Sequence, residues 1–97
     1  MRIRAERTLR DFEEKYPNAK PQLLAWREDT LQAKWQSPND IKLQYANASI
    51  LNSQLVVFNI AGNQYRLIVA IHYKSQIVHI RWFGTHAEYD RINAYEV

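Results

Sequence analysis

Three runs of β-branched and aromatic residues in the carboxyl half constrain the fold of this 97-residue chain more than any other feature. They cover residues 55–61, 64–73 and 77–83, and apolar residues recur in them with a period of two. Gly62-Asn63 separates the first two runs and supplies the residue types that most easily take positive φ, as a tight hairpin requires. The pattern therefore predicts three sequential antiparallel strands joined by short turns.

The first residues predict a short edge strand followed by an amphipathic helix. Residues 1–4 alternate apolar and basic side chains, which favours a strand over the frayed start of a helix. The helix that follows ends at Pro17, and its apolar residues recur at helical spacing: Ala5, Leu9, Phe12 and Tyr16.

A second helix is expected over residues 19–35. Pro21 is compatible with this helix because it falls in the first turn, and Pro38 closes the element. The apolar face of the helix holds Leu24, Leu31 and Trp35. Residues 36–53 are rich in Asn, Gln and Ser, so they predict an irregular connection with room for one helical turn.

Two-residue turns would set the register of the three strands and hence their faces. Such turns place Asn59 opposite Arg66 and Ala70 opposite Arg81. The face that the helices cover is then apolar: Val56, Phe58, Ile60, Tyr65, Leu67, Val69, Ile71, Val78, Ile80 and Trp82. The opposite face is expected to be uncovered and holds Asn59, Arg66, Ile68, Ala70, His72, His79 and Arg81. The expected fold class is α+β.

Length and composition fit a single domain over residues 1–97, because a chain of this size has room for one core. The chain contains no Cys, which excludes a disulfide framework and a thiolate zinc site. No apolar run resembles a secretory signal or approaches the length of a membrane-spanning helix. A cytoplasmic location is therefore expected.

The charges are distributed unevenly along the chain, whose formal net charge is +3. Residues 41–87 hold four basic residues, Lys42, Arg66, Lys74 and Arg81, and no Asp or Glu. A stretch without carboxylates favours a phosphate-bearing partner. Strands also disfavour Asp and Glu for structural reasons, so both explanations stay open on charge alone.

Arg66 and Arg81 fall on the same predicted face, roughly 13 Å apart along the strands at about 3.3 Å per residue. Two guanidinium groups at such a spacing suit adjacent phosphates. The alternative is that each pairs with a carboxylate from Glu88, Asp90 or a helix, as surface arginines commonly do.

After the last strand, Thr85 and Glu88 form the capping-box pattern that opens a short closing helix. His86 and Tyr89 lie three residues apart and can project from one face of that helix, which places an imidazole and a phenol beside the two arginines. The alternative is a surface histidine and a packing aromatic.

Other site classes find no support in the sequence. His72 and His79 face each other across the predicted hairpin, but two histidines without a third ligand do not make a metal site. The chain also lacks a Gly-rich phosphate loop, a Ser nucleophile elbow and paired catalytic carboxylates, which argues against nucleotidases, esterases and glycosidases. No metal and no cofactor are expected.

Three segments together resemble HigB-type toxins of bacterial toxin–antitoxin modules, within the wider RelE-like group of mRNA interferases. They are residues 57–67 (Val-Phe-Asn-Ile-Ala-Gly-Asn-Gln-Tyr-Arg-Leu), Ile80-Arg81, and residues 85–90 (Thr-His-Ala-Glu-Tyr-Asp). The similarity covers roughly residues 39–92, and the combined pattern is fairly specific. One departure is Ala61, where many relatives have Gly, and this puts the turn geometry in doubt.

The resemblance implies two helices packed on one face of an antiparallel sheet. It also implies endonucleolytic cleavage of mRNA, typically on the translating ribosome, with translation inhibited as a result. A HigA-like antitoxin with a helix-turn-helix domain would restrain the toxin, and the complex of the two would bind operator DNA. RNA carries its own nucleophile, the 2′-hydroxyl, so a small protein can accelerate this reaction without a metal.

Carried over residue by residue, the resemblance implies that Arg66 and Arg81 bind the scissile phosphate and that His86 or Tyr89 transfers a proton. The residues expected to contact or orient substrate are Asn59, Asn63, Lys42 and Lys74. A second hypothesis is a non-catalytic RNA- or ribosome-binding module that blocks translation by occupancy. A third is an interaction domain whose acid-free face docks an acidic partner.

Overall fold

The three predicted strands form the centre of a five-stranded sheet in the computed structural model, which describes all residues 1–97. In chain order the strands are β1 (Arg2–Arg4), β2 (Ser49–Ile50), β3 (Leu55–Ile60), β4 (Tyr65–His72) and β5 (Ile77–Thr85). Their order across the sheet is β1-β5-β4-β3-β2. The first strand pairs with β5 in parallel, and all other pairs are antiparallel. The predicted edge strand and the α+β class are both confirmed.

Four α-helices accompany the sheet: α1 (Glu6–Lys15), α2 (Lys20–Gln32), α3 (Pro38–Gln44) and α4 (His86–Tyr89), with a 3-10 turn at Pro17–Ala19. Residues of α1, α2 and α3 bury one face of the sheet. Around Phe58 the rings of Trp26, Trp35 and Tyr45 lie with centroids 5.4, 6.0 and 5.1 Å away. Each fully buried side chain of this size contributes about 1.5–3 kcal/mol to folding. No helix has the length and apolar character that crossing a bilayer requires.

The second helix is shorter than predicted and presents a different face to the sheet. It ends at Gln32, and Ala33 is already extended. Leu23, Trp26 and Thr30 are buried, whereas Leu24 is 44% exposed, so its assignment to the buried face was wrong. The sequence contains apolar residues on both sides of this helix, and only contact with the sheet decides between them.

Residues 36–53 are more regular than predicted. Pro38 does not close the second helix but opens α3, because proline is also well suited to the first turn of a helix. The segment then forms β2, which pairs with β3 through Ser49 opposite Val57. The expectation of an irregular connection was therefore wrong for both of these pieces.

The predicted register is confirmed for β3 and β4, where Asn59 lies opposite Arg66. It is wrong for β4 and β5, since Ala70 lies opposite His79 and not opposite Arg81. The turn between these strands holds four residues and not two, so the pairing is shifted by two positions. Because a shift of two preserves the alternation of side chains, the residues near the turn stay on their predicted faces. His72 and His79 share a face but are not directly opposite each other.

A bulge at Arg81 reverses the faces of the last strand. Val69 lies opposite Ile80, but Ile68 lies opposite Trp82, so Arg81 is the extra residue. Trp82 consequently lies on the face away from the helices, and its assignment to the helix-covered face was wrong. Phe83 takes its place in the main core, where its ring lies 5.4 Å from that of Phe12.

The face opposite the helices had been expected to be uncovered, and this prediction was wrong. Residues 90–97, here called the carboxyl-terminal segment, cross part of it. A second buried cluster forms there from Leu55, Val57, Ile68, Ala70 and Ala94, with Trp82, Tyr89, Ile92 and Val97 packed against it. This half of the face is apolar and needs cover from water. On β3, β4 and β5 the exposed residues of this face are His72, His79 and Arg81.

Candidate active site

Arg66 lies on the face away from the helices, directly opposite Asn59 on one side and Gly84 on the other. Its residue is only 9% exposed. Nη1 donates to the main-chain oxygens of Asn63 and Tyr65, at 3.1 Å each, and Nη2 donates to Asn63 Oδ1 at 2.6 Å. A guanidinium carries five N–H groups, so Nε and one hydrogen of Nη2 have no protein acceptor. The group is buried and held by the protein, yet keeps donors for an anion.

The turn of the β3–β4 hairpin holds this arginine in place. Asn63 is exposed, and both its main-chain and side-chain oxygens accept from Arg66. Asn63 had been predicted to orient substrate or backbone, and the structure shows it orienting the arginine. Asn59 is half-buried and lines an open pocket of about 270 Å³ with Gly62 and residues 44–48.

The closing helix begins at the same end of the sheet. Its predicted capping box is present, because Glu88 N donates to Thr85 Oγ1 at 3.1 Å and Thr85 N donates to Glu88 Oε1 at 2.8 Å. The main-chain N–H of His86 donates to Gln64 O at 2.9 Å. That bond fastens the start of α4 to the hairpin turn that holds Arg66. The turn consists of residues 61–64, and we call its junction with α4 the hairpin end.

The His86 imidazole lies against a carboxylate. Nδ1 is 3.1 Å from Asp90 Oδ2, and both side chains are partly exposed, at 45% and 60%. An Nδ1–H held by a carboxylate leaves Nε2 for a reacting group, an arrangement common to histidines that move protons. Sequence reasoning had considered Asp90 only as a partner for arginine. The i, i+4 spacing of the two residues was the available signal.

Tyr89 packs against the second buried cluster, on the face of the sheet away from the helices. Its ring packs on Trp82 with centroids 6.2 Å apart, and its hydroxyl has no hydrogen-bond partner in the protein. The Trp82 ring itself lies over Gly84, where an added Cβ would come within 2.6 Å of it. Tyr89 is therefore a packing aromatic, as one of the two alternatives had it, and its hydroxyl is left without a partner.

A hydrogen bond from α1 supports α4 and was not foreseen. Tyr16 OH donates to Glu88 Oε1 at 3.0 Å. The pKa of Glu88 is lowered by the hydrogen bond from the Thr85 main chain and then by that from Tyr16. The pKa of Tyr16 is raised by burial and by its bond to the Glu88 carboxylate. The two residues are 72 positions apart, so no local pattern could have indicated this contact.

Arg81 is exposed at the bulge and is engaged by the carboxyl-terminal segment. Nε and Nη2 donate to Val97 O at 3.0 and 2.6 Å. The one contact of an arginine or lysine with a side-chain carboxylate is Arg27–Glu6, so neither Arg66 nor Arg81 pairs with Glu88, Asp90 or a helix carboxylate as the alternative had it. Arg81 is three residues from Gly84, the residue opposite Arg66, so it lies roughly 10 Å from Arg66 along the strand direction.

The two lysines expected to contact substrate lie apart. Lys42 Nζ donates to Ala46 O and Ala48 O at 2.5 and 2.7 Å, in the loop that borders the Asn59 pocket. Lys74 lies in the β4–β5 turn, eight residues from Arg66 and hence roughly 26 Å away. The structure thus brings Asn59, Asn63, Arg66, His86 and Tyr89 to one end of the sheet and leaves Lys74 at the other.

Comparison with known proteins identifies a family to which this chain is similar. A model of the HigB toxin family, described as the RelE-like toxic component of a toxin-antitoxin system, matches residues 19–92. The mRNA interferase toxin HigB of Escherichia coli K12 is 31% identical over 97 residues, covering 97% of this chain and 92% of the relative. The mRNA interferases HigB of Escherichia coli O157:H7 and Shigella flexneri match to the same extent.

Proposed function

The chain belongs to the HigB family of RelE-like toxins, and on this premise we propose that it is an endoribonuclease that cleaves mRNA without a metal ion. The observation that carries the proposal is the Arg66 guanidinium at the hairpin end. It is nine-tenths buried, oriented by Asn63 and still has two free N–H donors. Such a preorganised group stabilises charge that develops on a phosphate in the transition state.

The reaction that fits these groups uses the ribose 2′-hydroxyl as nucleophile. Its oxygen attacks the adjacent phosphorus, the bond to the 5′-oxygen of the next nucleotide breaks, and a 2′,3′-cyclic phosphate forms. One proton leaves the 2′-hydroxyl and one is given to the departing 5′-oxygen. Because the substrate supplies the nucleophile, the protein needs only to orient it, bind the phosphate and move these protons.

The surroundings of each residue indicate which of these tasks it performs. The free donors of Arg66 bind non-bridging oxygens of the scissile phosphate. His86, whose Nδ1 lies on Asp90, transfers a proton through Nε2, and the unpartnered hydroxyl of Tyr89 is the second candidate for a proton transfer. Arg81 binds a phosphate after exchanging the main-chain oxygen of Val97 for a phosphate oxygen.

The family membership also supports a proposal about the biological setting. As a member of a toxin family, the protein inhibits translation by destroying message, and it acts in the cytoplasm on ribosome-associated mRNA. A HigA-like helix-turn-helix antitoxin restrains it, and the complex of the two binds operator DNA. The relatives' names support the mRNA substrate, and the description of the family supports the antitoxin.

Cleavage and occupancy are distinguished in a reconstituted translation reaction that contains the purified protein. The proposal predicts new message ends inside the translated region as protein synthesis stops. Intact message with blocked synthesis would instead identify a protein that acts by occupancy, and the endonuclease proposal would be wrong.

A further inference from the structure

A row of basic side chains follows the β1 edge of the sheet on the face away from the helices. Parallel pairing sets Arg4 beside His79 and Arg2 beside Ile77. Ile3 points into the main core, so Arg2 and Arg4 point outward, and both are exposed. His79 and Arg81 are exposed along β5, and Lys74 is exposed in the turn that precedes this strand. We call Arg2, Arg4, Lys74, His79 and Arg81 the edge row.

No Asp or Glu side chain pairs with a member of the edge row. The Arg27–Glu6 ion pair and the His86–Asp90 contact both lie elsewhere. The strands β1, β4 and β5 and the turn between the last two contain no Asp or Glu. The side chains of Arg2, Arg4 and Lys74 also donate no hydrogen bond within the protein. Unpaired cations on a surface without carboxylates create a positive potential that attracts polyanions.

We propose that the edge row binds the phosphate backbone of single-stranded RNA that flanks the cleaved bond. This inference rests on the proposed endoribonuclease function. Arg81 joins the row to the active site, because it lies in β5 between His79 and Gly84, the residue opposite Arg66. The row and the site therefore form one track along the sheet, about 26 Å from Lys74 to Arg66 at 3.3 Å per residue.

The form of the row favours a single strand. Its cations, Arg2, Arg4, Lys74 and Arg81, lie on two neighbouring strands and the adjoining turn, so they form one narrow strip about 5 Å wide. The carboxyl-terminal segment covers the neighbouring part of the face. An RNA duplex presents two phosphate strands and is bound by groups that reach both of them across a groove. One narrow strip of cations matches one sugar-phosphate backbone.

The test is binding of a fluorescent 2′-O-methyl RNA of about twelve nucleotides, followed by fluorescence anisotropy over a range of salt concentrations. This RNA has no free 2′-hydroxyl and cannot be cut by the proposed reaction, so binding is measured apart from cleavage. The variant is Arg2→Gln/Arg4→Gln. The matched control is Arg7→Gln/Arg10→Gln, which removes the same charge from exposed positions of α1.

We expect the β1 variant, Arg2→Gln/Arg4→Gln, to bind about tenfold more weakly at low salt. The plot of log affinity against log salt concentration should become less steep by about 1.4, the value for two lost phosphate contacts on a single strand. The control should bind within about twofold of the wild type. Equal weakening by both variants, or an unchanged slope, would overturn the edge row. So would competition by an RNA duplex as strong as that by the single strand.

Failure of this inference can be told from failure of the proposed function. If the wild type cuts message and the β1 variant binds RNA with unchanged affinity, only the inference about the edge row is contradicted. A wild-type protein that binds through the edge row but leaves translated message intact contradicts the endoribonuclease alone.

Discussion

Arg66 Nη2 donates to Asn63 Oδ1 at 2.6 Å, three residues back in the β3–β4 hairpin. This bond fixes the direction of a guanidinium that is almost wholly buried. A charged donor that loses such an acceptor keeps its desolvation cost without compensation. The conformation of the hairpin turn and the position of the phosphate-binding group are therefore linked.

Replacement of Asn63 should separate orientation from charge. We expect Asn63→Ala to lower the free energy of unfolding by about 1–2 kcal/mol and to slow cleavage at least tenfold, because Arg66 loses its side-chain acceptor. Asn63→Asp keeps an acceptor but adds a carboxylate that competes with phosphate, so KM should rise more than kcat falls. Urea denaturation and steady-state cleavage measure both effects. Wild-type cleavage by Asn63→Ala would contradict this role.

The hairpin turn also makes a prediction about stability. Ala61 has φ of 54° and Gly62 has φ of 67°, so the alanine occupies a left-handed conformation that favours glycine. Ala61→Gly should raise the free energy of unfolding by roughly 0.5–1 kcal/mol. Gly62→Ala should lower it by roughly 1 kcal/mol through backbone strain alone, since an added Cβ meets nothing within 4 Å. Urea denaturation tests both, and a destabilised Ala61→Gly protein would be inconsistent with this turn.

His86 and Asp90 should contribute unequally to cleavage. His86→Gln removes the proton-transfer group and should reduce kcat by a factor of about 10²–10⁴. Asp90→Asn retains the imidazole but weakens its orientation, so a loss of roughly tenfold is expected. Asp11→Asn, at an exposed position of α1, is the matched control and should cleave like the wild type. Equal rates for His86→Gln and the wild type would remove His86 from the mechanism.

The Tyr16–Glu88 hydrogen bond predicts a pH-dependent stability. Because the pKa of Glu88 is lowered in the folded protein, its contribution to the free energy of unfolding is present above the unfolded pKa, about 4.3. This contribution is lost as the pH falls through the folded pKa. The raised pKa of Tyr16 means that its contribution is present below the unfolded pKa, about 10, and is lost as the pH rises through the folded value.

Tyr16→Phe removes this bond and tests both limits. The variant should be less stable than the wild type by roughly 0.5–1 kcal/mol at neutral pH, with the difference shrinking at both acidic and strongly alkaline pH. Urea denaturation of the two proteins across this range provides the measurement. A difference that stays constant from acid to alkali would mean that the bond contributes nothing and that only ring packing changes.

The sequence predicted the parts of the fold that depend on local periodicity. Alternation of apolar residues placed Phe58 and Leu67 on the helix-covered face and Asn59 opposite Arg66, as observed. It misplaced Trp82 because a single extra residue at Arg81 reverses the alternation. A bulge of this kind leaves no mark in composition, since it depends on how two strands pair.

Long-range contacts explain the rest of what was missed. Ile92, Ala94 and Val97 are too sparse to predict an element, yet they cover the apolar half of the opposite face. The contact of Arg81 with Val97 and that of Tyr16 with Glu88 join distant parts of the chain. By contrast, the capping box at Thr85 and Glu88 is local, and the sequence alone located the helix that carries His86.

The most direct test of the account is the cleavage of translated message by Arg66→Lys in a reconstituted translation reaction. Lysine keeps the positive charge but cannot both bond to the hairpin turn and present two donors to a phosphate. The exposed substitution Arg7→Lys is the control. We predict that the wild type and the control cut the message and leave 2′,3′-cyclic phosphate ends, and that folded Arg66→Lys cuts it about a hundredfold more slowly. Cleavage by Arg66→Lys at the wild-type rate, or wild-type cleavage that leaves no 2′,3′-cyclic phosphate ends, would contradict the account.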